Sequence, residues 1–281
     1  MLKKTIILTQ FGSPHEWTEQ FLENVGRLGQ HGWYWKIFTE NKYDNVPSNV
    51  EIVPMNTEQF NDLVEKKLGV RPNMFMTDKG VPSVHVTDFY VFSGLIFSNW
   101  LKDSDYWGIA NIDIVFGRLD HFLPDSELEK WDVWTDDVNV FNGIFSLLRN
   151  VPEVNTLPIT RISNWQEIIT QEPCEKCVGE TGAIQHTLIG SDEYIMTEVL
   201  KMPDVLKTIR YGYPKYHFMH SYDRLEQHVP EVKLEMQDDG SLWELFADTN
   251  APDWVHAHSH AAREIPYFHF IRTKKWPFIK K

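Results

Sequence analysis

The run Thr5-Ile6-Ile7-Leu8-Thr9 is of strand length, has no polar face, and opens at once onto Gly12-Ser13-Pro14. A strand of that kind must be covered on both sides, as in a parallel sheet. The turn residues behind it predict a helix, with Ser13 as N-cap, Pro14 in the first turn and Glu16 completing a capping box. Trp17, Phe21, Leu22, Val25 and Leu28 would form its apolar face and Gly29 its stop. Trp33 to Thr39 and Val50 to Val53 read as two further strands, and Glu58 to Leu68 as a second helix stopped by Gly69. Strand, helix, strand in this order predicts an α/β fold with crossover helices.

A third helix is predicted over Val86 to Leu101, followed by a strand from Tyr106 to Phe116. Val138 to Leu148 reads as strand, Trp165 sits in a short helix, and Glu193 to Leu206 reads as helix. Asp238-Asp239-Gly240-Ser241 has the turn chemistry of a hairpin spanning Val232 to Phe246, and Ile265 to Ile271 is a last apolar run before a basic tail. The 281 residues suit one elaborated domain. A formal net charge of −13 disfavours an extended nucleic-acid footprint, so any phosphate must be met in a local pocket. No stretch approaches the roughly 20 apolar residues of a membrane span, which predicts a soluble, cytoplasmic protein, in the host cytoplasm if the chain is viral. Cys174 and Cys177 lack a second pair for a four-sulfur zinc site and read as reduced loop thiols. Eleven Trp suit a protein that stacks sugars or bases, and equally one that fills its core with indoles.

Polarity enters the Tyr106 to Phe116 segment at Asn111 and Asp113. Residues two apart on a strand project to one side, so two oxygens could approach one hard cation there; the same pair could equally begin a solvated loop. The alternating His256, His258 and His260 could hold a metal or lie in a hydrated loop.

Tyr106-Trp107-Gly108-Ile109-Ala110-Asn111-Ile112-Asp113-Ile114-Val115-Phe116-Gly117 resembles the Asp-x-Asp strand of A-type glycosyltransferases, and more closely the same strand in a family of uncharacterised bacterial and viral sugar transferases. The resemblance extends over Thr9-Gln10-Phe11-Gly12, Phe38-Thr39-Glu40, Thr87-Asp88-Phe89 with Gly94, Phe145-Ser146-Leu147-Leu148-Arg149-Asn150, Ser191-Asp192-Glu193 and Tyr267-Phe268-His269-Phe270. His269, Arg272, Lys275 and Trp276 are similar to the closing motif of glycosyltransferase family 8. Relatives of this kind include chlorella-virus transferases that decorate capsid glycans.

This resemblance implies a Rossmann-like A-type fold: a mixed, mainly parallel sheet flanked by helices, with a C-terminal β-hairpin extension. Residues 1–281 would be a single domain, with 1–120 binding the nucleotide sugar and 121–281 carrying the acceptor side and closing segment. It implies a nucleoside-diphosphate sugar donor, UDP-linked and with UDP-xylose the first to test, a glycan acceptor, and Mn2+ or Mg2+ held by Asp113, Asn111 and His269. Thr9, Gln10, Phe11, Glu40, Asp88, Asn111 and Lys275 would meet the donor, and Asp192 would serve as the base of an inverting transfer. Asp88 and Asp192 could instead be helix caps. Two departures weaken the match: Asn111 replaces the first Asp of the pair, and His85 and Tyr90 stand where basic residues belong. Rival readings are a nucleotide- or glycan-binding protein without turnover and a metal-dependent hydrolase using His258. An oligomer is compatible with all three.

Overall fold

The computed structural model describes residues 1–73, 75–76, 82–83, 86–135, 141, 143–170, 191–212, 232–246, 262–265 and 267–269. The first strand, β1 (Lys4–Thr9), is followed by helix α1 (Thr18–Gly26), then β2 (Trp33–Thr39), β3 (Val50–Pro54) and α2 (Thr57–Leu68). The short strands β4 (Phe75–Met76) and β5 (Pro82–Ser83) pair antiparallel. A 3-10 helix (Val86–Phe92) leads into α3 (Ser93–Ile96), then β6 (Tyr106–Ala110) and β7 (Ile114–Phe116). Helices α4 (Leu119–Phe122) and α5 (Asp125–Leu128) precede β8 (Val133–Thr135) and β9 (Phe145–Arg149). Helices α6 (Pro152–Asn155), α7 (Leu157–Arg161), α8 (Trp165–Thr170) and α9 (Ser191–Leu200) come next, then β10 (Tyr211–Gly212), β11 (Val232–Met236), β12 (Leu242–Phe246), β13 (Ala262–Ile265) and β14 (Tyr267–His269).

Seven strands form the central sheet in the order β10-β8-β9-β6-β1-β2-β3. Strand β9 runs antiparallel to β6 and β8, and the other neighbours are parallel. The sheet is therefore mixed and mainly parallel, with helices against it, in agreement with the expected class. Alternation divides its residues between two apolar layers. Ile7, Phe38, Val53, Trp107, Ile109 and Leu148 face a core with Phe60 and Val64 of α2 and Ile195 and Val199 of α9. Ile6, Leu8, Trp35, Ile37, Tyr106 and Phe145 face the other, with Phe21, Leu22 and Val25 of α1 and Tyr267 of β14. Gly108 is needed where β6 is most crowded, since a Cβ there would lie 2.6 Å from Ser146 O and 2.8 Å from Ile6 Cδ1.

The hairpin is as expected: β11 and β12 pair antiparallel about a turn with Gly240 at φ +83°, and β13 adds a third strand. Several boundaries differ. Helix α1 begins at Thr18, and its N-cap, Trp17, makes no side-chain capping bond, so Ser13 and Glu16 build no capping box. The capping box belongs to α2, between Asn56 and Gln59. The expected third helix is broken into the 3-10 segment and the four-residue α3, in which Gly94 leaves room for the Trp107 Nε1 to Asn155 Oδ1 bond. The Tyr106 to Phe116 strand is two strands of different sheets, the described residues of Val138 to Leu148 are strand from Phe145, and helix after Glu193 ends at Leu200.

Beneath β9, Asp132 is 9 % exposed and gathers two guanidinium groups. Arg149 Nε donates to its Oδ1 at 2.8 Å, and Arg210 donates through Nη2 to Oδ1 at 2.8 Å and through its backbone N–H to Oδ2 at 2.9 Å. Burial raises this carboxyl, but the Arg210 bonds and the two positive charges outweigh it and hold the pKa below the usual value. The folded-state pKa is thus below the unfolded one, so the stabilisation is complete above about pH 5 and fades on acidification below about pH 4. Asp132→Asn should cost about 2 kcal/mol at pH 7 and flatten the acid limb of a urea-stability profile. A variant whose acid limb matches the parent would disprove this assignment.

Candidate functional site

From β1 the chain builds outward through β2 to β3 and then returns to place β6 on the other side of β1. The order reverses between β1 and β6, and in open α/β sheets ligands gather beyond the carboxyl ends of the strands at such a point. Thr9 and Gln10 close β1 there, and Ala110 and Asn111 close β6.

The loops at this edge are tied to one another by polar contacts. Gly12 N–H donates to Glu40 Oε1 at 2.8 Å, and Asn41 Nδ2 donates to Gly12 O at 2.7 Å and to Thr39 Oγ1 at 3.1 Å. Gly12 adopts φ +82°, which a side chain would resist. Tyr43 Oη donates to Gln10 Oε1 at 2.9 Å, and burial, opposed by hydrogen bonds with Thr39 and Asn41, raises its phenol above the ordinary value and keeps it a donor. Gln10 is 5 % exposed. Its Nε2 and Thr9 Oγ1 are buried with no hydrogen-bond partner among the described residues. Each such group costs about 1–3 kcal/mol unless something outside the described residues meets it. Phe11, half-buried, lies 5.5 Å from the Phe60 ring and anchors the loop to α2.

Asn111 and Asp113 are half-buried but not on a strand. Strand β6 ends at Ala110, Asn111 N–H donates to Ile144 O at 3.2 Å, Ile112 and Asp113 form a turn, and β7 begins at Ile114. Strand alternation therefore does not align their oxygens; a tight connection between two sheets brings them to one corner. Strand β7 pairs antiparallel with β14, in the register His269 to Ile114, Phe268 to Val115 and Tyr267 to Phe116. Buried Tyr267 and Phe268 seat β14, so the backbone of His269 arrives beside the neighbour of Asp113. The side chain of His269 lies outside the described residues.

Asp88 falls in the 3-10 helix and Asp192 is the second residue of α9, in its first turn rather than before it. These two elements rest on one another, although both side chains lie outside the described residues. His85, Cys174, Cys177, His256, His258, His260, Arg272, Lys275 and Trp276 also lie outside them. Tyr90 is a core residue, 9 % exposed. Thr39, Asn41 and Tyr43 join the edge without having been singled out as site residues; the visible signal was a polar Thr-Glu-Asn run directly after an apolar strand.

Oxygens from an amide and a carboxylate on one short connection are donors of the kind a hard divalent cation takes, so Asn111 and Asp113 fit such an ion. Among the described residues no three His, Cys, Asp or Glu side chains come together as a metal shell. A cleft of about 890 Å3 opens elsewhere, at the amino edge of β2 and β3, and none of the residues nominated from the sequence lines it. No helix among the described residues is long and apolar enough to cross a membrane.

A mixed α/β sheet whose order reverses at a polar edge has there the position at which open α/β sheets generally hold ligands. The chain belongs to the Family of unknown function (DUF6625), which it matches over residues 6–279. No curated protein matches it. Among solved structures, the glycosyltransferase GlyE of Streptococcus pneumoniae TIGR4 is similar over 80% of this chain and 48% of its own, at 14% identity and a TM-score of 0.36. The chain spans about half the length of that structure, a likeness too distant to transfer a function.

Proposed function

We propose that the chain is an A-type glycosyltransferase that moves a sugar from a nucleoside diphosphate, UDP-linked and with UDP-xylose as the first candidate, to a glycan acceptor with inversion. The observation that carries this reading is the β7–β14 pairing, which sets His269 opposite Ile114, next to Asp113, where the sheet order reverses. The backbone of His269 is thereby brought from far along the chain to the corner that carries Asn111 and Asp113.

Asp113, Asn111 and His269 would hold a divalent cation, Mn2+ or Mg2+. When bound, such an ion neutralises charge on a departing diphosphate. Thr9 Oγ1 and Gln10 Nε2 would donate to the nucleotide, with Tyr43 holding the Gln10 amide and Glu40 holding the Gly12 loop in place. Asp88 would meet the ribose or donor sugar, and Lys275 would act as a point charge on the diphosphate. Asp192, at the start of α9, would accept the acceptor hydroxyl proton.

A panel of nucleotide sugars assayed by thermal shift with and without Mn2+ tests the reading. At about 100 times its Kd the true donor should add about 2.7 kcal/mol, a rise in Tm of about 5 °C or more. No shift with any member of the panel would overturn it. Asn111, which removes one charge from the pair, favours a second reading, a nucleotide-binding protein without turnover; there the shift would appear but no nucleoside diphosphate would be released with any acceptor.

A further inference from the structure

We propose that the cleft at the amino edge of β2 and β3 is a binding site for a neutral carbohydrate, separate from the strand-end site. It is walled by the end of α1 with the following turn, by residues 116–118 after β7, and by the tip of the β11–β12 hairpin, and its volume of about 890 Å3 admits a small oligosaccharide. Asn24 braces the floor: its Nδ2 donates to Phe116 O at 2.9 Å and its Oδ1 accepts from Phe116 N–H at 2.8 Å.

The polar groups select the ligand class. His31 Nδ1 lies 3.2 Å from Asp120, and Arg118 pairs with Glu264 and Asp239, so these groups are already partnered. What remains is a mixed set. Arg27 makes no ion pair among the described residues, and its Nε has one long bond, to Asn24 O at 3.5 Å. Asn49, 5 % exposed, spends Nδ2 on Val25 O and Trp33 O, and its Oδ1 is buried with no hydrogen-bond partner among the described residues. Gly29 pins that amide, since a Cβ there would lie 2.7 Å from Asn49 Cβ. Asp238, exposed, adds an acceptor, and Tyr34 adds an aromatic edge.

A phosphate would offer acceptors alone, leave Asn49 Oδ1 unmet and face Asp238, which makes no ion pair among the described residues. A cation would face Arg27. Vicinal hydroxyls both donate and accept, and they match an arginine, an amide oxygen and a carboxylate together with no net charge to desolvate. The site needs neither the strand-end residues nor a nucleotide, so it stands or falls apart from the transfer reading.

The test is saturation-transfer NMR and calorimetry on the full chain with neutral mono- and disaccharides, and with inorganic phosphate for comparison. The expected result is saturable millimolar binding of a neutral sugar, weakened about tenfold by Arg27→Ala. Ser48→Trp, on an exposed turn at the rim, should block it while removing no polar partner. Both variants should retain the parent Tm and any nucleotide-sugar shift. Absence of saturable binding, preference for phosphate, or binding indifferent to Ser48→Trp would overturn the proposal; if Arg27→Ala fails to fold, Ser48→Trp alone decides.

Discussion

Asp125→Leu is expected to destabilise the protein by about 3 kcal/mol, because it strands a buried ammonium group. Lys4 is 2 % exposed, inside β1, and its Nζ donates to Asp125 Oδ1 at 2.5 Å while lying 5.1 Å over the Trp33 ring. Asp125 Oδ2 also accepts the Leu2 N–H at 2.7 Å. Burial works against this carboxylate, but the bonds from Lys4 and Leu2 draw its pKa below the ordinary value. The Asp125 side chain keeps 32 % exposure, which places the cost at the lower end of the range for broken buried pairs. Coupling provides the diagnostic. Lys4→Met in the Asp125→Leu background should restore most of the loss, since an apolar pair of similar shape is tolerated where an unpaired charge is not. Urea unfolding of the parent, both single variants and the double variant measures this; a loss under about 1 kcal/mol for Asp125→Leu would mean that water reaches the Lys4 ammonium.

Asp113→Ala is expected to lower sugar transfer by about a hundredfold or more, the effect of removing one preorganised electrostatic group from an active site. The fold should survive the change, because Asp113 is half-buried in a turn and not part of a core. The Mn2+-dependent portion of the donor thermal shift should vanish with it. Asn111→Asp should act in the opposite direction and strengthen the response to Mn2+ by restoring a charge. Transfer within a few-fold of the parent for Asp113→Ala would exclude this residue from the site. If His258→Ala abolished activity instead, the hydrolase reading would take its place.

The strands β1, β2 and β3 were legible because apolar-rich runs of strand length, with Lys36 and Glu51 the charges inside β2 and β3, are bounded by turn residues, and Gly69, at φ 72°, marks the end of α2 in sequence and structure alike. The start of α1 was not legible. Ser13, Pro14 and Glu16 have the chemistry of a helix start, but Gly12 just before them is held by Glu40 and Asn41, partners about thirty residues away that local pattern cannot see. The break after Ala110 was hidden for a related reason. Ile112 and Ile114 to Phe116 continue the apolar run, and the change of sheet depends on β14, at the far end of the chain. The end of an apolar strand near Asn111 was thus legible in the sequence, while the single strand expected through Asp113 to Phe116 is interrupted by a turn. The contributions of Asn41 and Tyr43 arise only from folding, since Tyr43 lies thirty-three positions from Gln10.

The meeting of β7 with β14 also orders events during synthesis. Strands β1, β2, β3 and β6 can associate once they have emerged, whereas the partner of Ile114 in β14 follows only much later in the sequence. Closing so long a loop is entropically slow compared with the pairings that precede it. A nascent chain can therefore hold a formed sheet before β14 arrives to complete the corner beside Asp113.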